Sequence, residues 1–443
     1  MSSIILVLAS AALILSAFVV ELVRARQAGL VDFLFTTTFV FVLLFGVAPL
    51  LVFFAFEAGA IPSEWSFVTH LAPTSGYYAY AVVVALAAYF LLLLGYRLGR
   101  SDQGTPERST HSGLLVLAGV AFSLVGLMSL YLYARDIGGI QFMLETILAY
   151  RASAEPVYSR LGFLKTLSPV ATGGTVLLFA AIQAGRRSVW MYVVFAFALA
   201  VSMLALVVNA GRLMTVQFLL LFPLYFLLRS SHRLLVPMCV AGLLIFGTIT
   251  VFGHGMFDLF RGTERIATQF ENASQGPAEI GIRVGLEFAY PVESLALTLR
   301  DVGTEPYAYR WFSDVPIGLA YLMPKRLFAL ELPETVSMQL SDLVRGPVPA
   351  DLITFGYWSA GPMGIVIAAI GFGWLVARFE AWFPACRDPV MLTMRAAWIA
   401  YLCSRVMYGN PHHTFITALP LVLASAVIYF ISRPATDNPQ RQA

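Results

Sequence analysis

The sequence is short of charge, of lysine and of cysteine. Asp, Glu, Lys and Arg make up 12% of its 443 residues, where a soluble domain carries about 25%. That scarcity excludes an ordinary cytoplasmic enzyme and a disordered chain. Of 28 basic residues only Lys165 and Lys325 are lysines. A net charge of +3 with no long basic run excludes a surface that tracks nucleic-acid phosphates. Cys239, Cys386 and Cys403 form no CxxC pair, which excludes a disulfide scaffold and a thiolate metal site. No GxxxxGK[ST] loop, DxD pair or HExxH motif is present, so chemistry driven by cytoplasmic nucleotides has no visible seat. The absence of an internal repeat speaks against inverted-repeat transporters.

What remains is hydrophobic length. A bilayer core of about 30 Å needs roughly 20 apolar residues per helix. Eleven stretches qualify, near 4–20, 30–56, 76–96, 113–133, 166–183, 189–208, 213–228, 234–252, 356–377, 390–408 and 414–432. The second is long enough to kink near Pro49. Basic residues follow every odd-numbered stretch: Arg24 and Arg26, Arg97 and Arg100, Arg186 and Arg187, Arg229 and Arg233, Arg378 and Arg387, and Arg433. The positive-inside rule then puts the N-terminus in the periplasm and the C-terminus in the cytoplasm. The first stretch has no basic n-region, so it reads as a retained helix and not a signal peptide. The expected fold is all-α: one polytopic membrane domain over 1–443, with about 11 transmembrane helices and a large outer loop of amphipathic or re-entrant helices.

Two outer loops are sizeable, 134–165 and 253–355. Long loops inside compact domains usually fold or function. Within the second, 283–299 alternates apolar and charged residues at helical spacing. Residues 311–330 are apolar, aromatic and broken by Pro316 and Pro324. Both segments read as interfacial or re-entrant pieces on the outer leaflet, either functional or a plain amphipathic covering. The ionisable residues gather on this outer side, which favours surface chemistry over alternating access.

Four groups are candidates for chemistry. Arg212 follows Asn209-Ala-Gly and opens an apolar helix, where it either snorkels or binds an anion with the free N–H groups of the helix start. Arg405 sits inside an apolar stretch about one turn below the outer surface. It needs a cavity or an acidic partner, Glu293 being one. His412 and His413 titrate near neutral pH and suit general-base work on a hydroxyl, or are loop residues without a role. Arg283 and Arg345 belong to a basic set in the large loop, and Arg151 lies in the first outer loop. All of these are either surface ion-pair members or ligands for an anion.

With those residues in place, the chain resembles the bacterial oligosaccharide repeat-unit polymerases, the O-antigen polymerase (Wzy-type) family. The resemblance covers most of the chain. It rests on the span number with one dominant late periplasmic loop, on Asn209-Ala-Gly-Arg212-Leu-Met, and on Pro316-Ile-Gly-Leu-Ala-Tyr-Leu-Met-Pro324-Lys-Arg326. It rests also on Val348-Pro349-Ala-Asp351, Phe355-Gly356 and Gly361-Pro-Met-Gly364. The family commonly has a Ser/Gly-Ser/Thr-Arg pattern where this chain has Asn-Ala-Gly-Arg, so only Arg212 carries over.

The resemblance implies a metal-independent glycosyltransferase of the bacterial inner membrane that needs no cofactor. The donor would be a glycan on undecaprenyl diphosphate, and the acceptor another lipid-linked repeat unit. Membrane lipids, and a flippase and chain-length regulator of the same pathway, would be partners; nucleic acid would not. Arg212 and Arg405 would hold the diphosphate, with Arg283, Arg345 and Arg151 assisting. His412 or His413 would be the base, with Glu293 as the rival. A ligase using the same donor, and a transporter of lipid-linked glycans, are the competing readings.

Overall fold

The computed structural model describes residues 1–24, 31–61, 71–100, 108–110, 112–144, 159–209, 212–229, 288–303, 307–323, 333–344, 348–383 and 388–434, with isolated positions between 237 and 285. Apart from a three-residue strand pair, Arg108–Thr110 antiparallel to Ser432–Pro434, the described elements are helical. Nine described helical segments are long and apolar enough to cross a membrane. The protein is therefore an all-α polytopic membrane helix bundle. Of the two remaining expected spans, 234–252 lies almost wholly outside the described residues. The stretch 390–408 forms a short helix, Pro389–Cys403, followed by the single turn Ser404–Val406.

Side-chain caps set several helix starts, as a lipid environment that cannot solvate free N–H groups requires. Asp32 accepts from the Phe35 N–H (2.8 Å), Ser75 from Tyr78 (3.2 Å), Ser188 from Met191 (3.3 Å) and Asp388 from Met391 (3.1 Å). The second span leaves regular α geometry near Pro49, where a kink was expected. Pro49 has no N–H to give and its ring crowds the carbonyl four residues earlier, and the helix widens into a π turn at Leu43–Val47 just before it.

The chain gathers into two compact units. The first comprises Met1–Ser101, Ala267–Glu380 and Tyr401–Phe415. In it the Gly76–Gly99 helix meets residues 362–382 through small residues. A Cβ on Gly95 would lie 2.0 Å from the Ile370 carbonyl oxygen, and one on Gly373 2.0 Å from that of Leu92. Only hydrogen fits at those points, and the two backbones touch. Gly95 pairs with Ile370 and Gly99 with Trp374, so the helices run in the same direction.

The helical stretch Leu352–Trp382 is not one straight rod. Ala360 (φ −155°, ψ 36°) and Gly361 (φ 60°, ψ −143°) leave helical geometry. In a continuous helix Gly356 and Ala368 would stand about 18 Å apart. Instead a Cβ on Gly356 would touch the Ala368 side chain at 3.0 Å and the Gly364 carbonyl oxygen at 2.8 Å. The chain therefore doubles back at Ala360–Gly361. Residues 352–359 form a buried re-entrant limb laid along the helix that starts at Pro362. This corrects the expected span at 356–377: its first turn belongs to the limb, and the crossing helix begins after the reversal.

A second difference concerns charge. The end of this unit away from the re-entrant limb also buries ionisable groups. Arg24 pairs with Glu21 and Asp32, both at 2.8 Å, and the Tyr96 hydroxyl donates to Glu380 (2.8 Å). The polar groups do not gather on one side only.

The second unit comprises Asp102–Ile266, Ala381–Ala400 and Ile416–Ala443. Ser112–Ile137 and Val170–Gln183 pack antiparallel, Gly119 against Gly174 and Gly126 against Ala171. A hydroxyl pair, Thr175 and Ser202 at 2.8 Å, ties in Val189–Val208. Phe179 then sits edge-on to Phe222 and Tyr225, both with centroids at 5.1 Å, which seats Arg212–Arg229.

Candidate functional site

The candidate site lies in the first unit, where the re-entrant limb meets the head of the last span. Its floor is a buried polar node. Asp351 caps the limb, accepting from the N–H groups of Ile353 (2.8 Å) and Thr354 (3.1 Å) and from the Thr354 hydroxyl. Gly409 fits against it without a side chain, since a Cβ there would lie 2.5 Å from the Leu352 Cα. The Gly409 N–H donates to the Ala350 carbonyl at 2.9 Å. Asn410 is fully buried. Its amide donates to the Ser337 hydroxyl (2.7 Å), and its carbonyl oxygen accepts from the His412 N–H (3.0 Å). Ser337 also accepts from the Ala350 N–H (3.0 Å). Asn410-Pro411 is thus a helix start, a cap followed by a proline whose missing N–H costs nothing there.

On this floor stand the expected residues. Arg405 is 4% exposed, in the single turn Ser404–Val406. Its guanidinium lies over the Tyr401 ring at 4.6 Å and donates to the Ser404 hydroxyl at 3.1 Å. That turn packs against Phe33–Val42, the half of the second span that starts at the Arg24–Asp32 end. His412 and His413 open the final helix, Pro411–Ile431, with ring centroids 5.2 Å apart. His412 stacks on Tyr321 at 4.0 Å; His413 is exposed and within electrostatic reach of Arg405.

The roof is the short helix Asp314–Ala320. It sits directly on the last span's first turn, with no room for a Cβ between Gly318 and the His412 nitrogen (2.8 Å). Arg310 holds this roof. It pairs with buried Asp314 at 2.7 Å and donates to the Glu334 carbonyl. The other Asp314 oxygen accepts from the Val336 N–H at 2.7 Å, which caps Val336–Val344. Trp311 and Phe312 both have positive φ (52° and 58°). Arg310 and Trp311 give their N–H groups to the Trp358 and Ser359 carbonyls that the helix reversal frees. Burial pushes the Tyr321 phenol up, and the charges of Asp314 and Glu334 add to it, so Tyr321 is a neutral donor at physiological pH.

Glu293 is elsewhere in the same unit. It is 1% exposed on Tyr290–Asp301, whose residues Tyr290 to Thr298 are all buried. The described helical part of the stretch 283–299, expected to be interfacial or re-entrant, is enclosed in protein against Gly76–Gly99, and Glu293 acts electrostatically on Tyr78. One turn earlier the Tyr290 hydroxyl donates to the Met407 carbonyl (3.1 Å), which ties this helix to the Arg405 region.

Arg212 belongs to the second unit, half-buried at the first position of Arg212–Arg229. Its neighbour Asn209 has a structural task. The side-chain amide donates to the Lys165 carbonyl (3.3 Å), the Ser168 hydroxyl (3.2 Å) and the Ala205 carbonyl (2.8 Å), closing the junction between helices. Arg151, Arg283 and Arg345 lie outside the described residues. The structure thus brings together Arg405, His412 and His413. Around them it adds Asp351, Ser337, Asn410 and Tyr321, which the sequence reading did not select. Among the described residues no three His, Cys, Asp or Glu side chains gather as a metal site.

No family model, no curated protein and no solved structure matches the chain.

Proposed function

We propose that the protein is a glycosyltransferase that polymerises undecaprenyl-diphosphate-linked oligosaccharide repeat units into surface polysaccharide, at the periplasmic face of a bacterial inner membrane. The observation that carries the reading is the buried Arg405, held against an aromatic face and a hydroxyl beside two histidines at the head of a span. A cation fixed in a low-dielectric site is suited to a lipid-anchored anion.

The acceptor hydroxyl oxygen attacks C1 of the donor sugar. The bond from C1 to the phosphate oxygen breaks, and the diphosphate leaves with the electron pair. Arg405 stabilises the charge that develops there, because a preorganised guanidinium needs no reorganisation as the bond breaks. His412 or His413 takes the hydroxyl proton. In this reading Arg212, at the start of a helix in the second unit, also serves anion binding. The lipid diphosphate is already an activated leaving group, so the chemistry requires no nucleotide.

Arg405→Ala and Arg212→Ala in cells test the assignment. The expected result is loss of long polysaccharide with single repeat units still made. Full-length polymer from both expressed variants contradicts it. A second reading, transport of lipid-linked glycans, draws on the buried Asp32 and Glu380 and the half-buried Arg24 at the opposite end of the first unit. Loss of a transporter leaves lipid-linked units on the cytoplasmic leaflet, whereas loss of a polymerase leaves them on the outer one.

A further inference from the structure

The first unit buries a row of hydroxyl groups that have no hydrogen-bond partner among the described residues: those of Tyr78, Ser294, Ser10, Tyr89, Thr37 and Thr38. All are under 5% exposed. A buried hydroxyl without a partner costs about 1–3 kcal/mol, and native interiors hold few of them. Six within one unit need a common cause.

Their placement supplies one. Tyr78, Tyr89 and Tyr96 stand 11 and 18 residues along Gly76–Gly99. At 100° per residue those steps return to the same face, and 18 residues rise about 27 Å. One face of this helix therefore carries phenols across nearly a full bilayer core of about 30 Å. At one end Tyr78 lies within electrostatic reach of Glu293, and Ser294 is on the same adjoining helix. At the other end Tyr96 donates to Glu380, with the charges of Asp32 and Arg24 in reach.

The interval between is filled from neighbouring helices. Ser2–Val23 packs along Gly76–Gly99 in the same direction: Ser2 lies by Gly76, and Arg24 reaches Tyr96. Ser10 is thus level with the gap between Tyr78 and Tyr89. The Thr38 hydroxyl faces that of Tyr89, and Thr37 is adjacent in the chain. Carboxylates at both ends and unpartnered hydroxyls between them are the parts of a proton relay through protein.

We infer that the first unit encloses a column of water, held by these hydroxyls, that carries protons between Glu293 and Glu380. A proton taken up by one carboxylate passes on as each oxygen in turn accepts one hydrogen and releases another, until the far carboxylate holds it. One proton moves, and no redox partner is involved. The inference does not depend on the glycan-transfer reading.

The test uses the full chain reconstituted in vesicles holding a pH-sensitive dye, with a potassium diffusion potential applied. Proteoliposomes are expected to pass protons faster than protein-free vesicles. Tyr89→Phe and Ser10→Ala, each removing one hydroxyl with little change of shape, should lower that flux by about tenfold. Tyr80→Phe, on the outward face at 53% exposure, should leave it unchanged. Flux equal to that of protein-free vesicles, or flux insensitive to both hydroxyl deletions, overturns the inference. Should the variants fail to fold, radiolytic water footprinting of the native protein decides. Oxidation of the buried Tyr78 and Tyr89 supports the column, and their protection overturns it.

Discussion

Gly364→Ala tests the helix reversal on which the candidate site is built. In a straight helix Gly356 and Gly364 would be about 12 Å apart, and a methyl group at 364 would be harmless. In the re-entrant arrangement that methyl carbon would lie 1.9 Å from the Gly356 carbonyl oxygen. An ordinary contact needs more than 3 Å, so the limb and the crossing helix must part by over 1 Å. The contact is with backbone, which has no rotamer to yield. The cost then belongs at or above the upper end of the about 1–3 kcal/mol typical of overpacking. Gly371→Ala on the same helix is the control. Nothing lies within 4 Å of a Cβ there, and replacing glycine by alanine in a helix gains up to about 1 kcal/mol. Thermal unfolding of the two purified variants in one detergent should therefore separate them, Gly364→Ala melting lower than the parent and Gly371→Ala equal or higher. Equal melting temperatures for the two variants would refute the reversal.

Further predictions concern the roof, the floor and the cation. Arg310→Ala strands the buried Asp314 carboxylate and should destabilise by about 3–5 kcal/mol; adding Asp314→Asn should restore part of the loss in the same melting assay. Asn410→Ala removes the acceptor of the His412 N–H and one of the two donors to the Ser337 hydroxyl, which keeps the Ala350 N–H, for a loss of about 1–3 kcal/mol in chemical unfolding. Arg405→Lys keeps the charge but loses the planar stack on Tyr401 and the forked donors. Polymer synthesis should fall about a hundredfold, nearly as far as with Arg405→Ala. A lysine variant with parental activity in the polysaccharide gel assay would reduce Arg405 to a point charge.

The spans were legible because apolar length is a local property, and most boundaries lie within a few residues of the helices found. An irregularity near Pro49 was legible for the same reason, as proline's missing N–H acts on its own helix, though not its form as a π turn. The re-entrant limb was not. Residues 352–359 carry no charge and run directly into the apolar helix they fold against, so the reversal falls inside one uncharged stretch. Gly361-Pro362 was the available signal, being a turn dipeptide inside an apolar run. Arg405 was found because a charge in an apolar stretch is conspicuous. Asp351, Ser337 and Asn410 were not, since their importance comes from contacts between segments far apart in the chain. The row of tyrosines on Gly76–Gly99 escaped notice because tyrosine counts as apolar in composition. Its 11- and 18-residue spacing becomes meaningful only once the helix is known to face Glu293 and Glu380.

The most direct measurement of the central claim is reconstitution of the purified protein with a purified undecaprenyl-diphosphate-linked repeat unit, with products separated by gel. The account predicts a ladder of products rising by one repeat unit per step, with release of undecaprenyl diphosphate. It further predicts that Arg405→Ala, purified as a folded protein, leaves the single unit unchanged. A single unit left unconverted by the parental protein, or a full ladder made by Arg405→Ala, would contradict it.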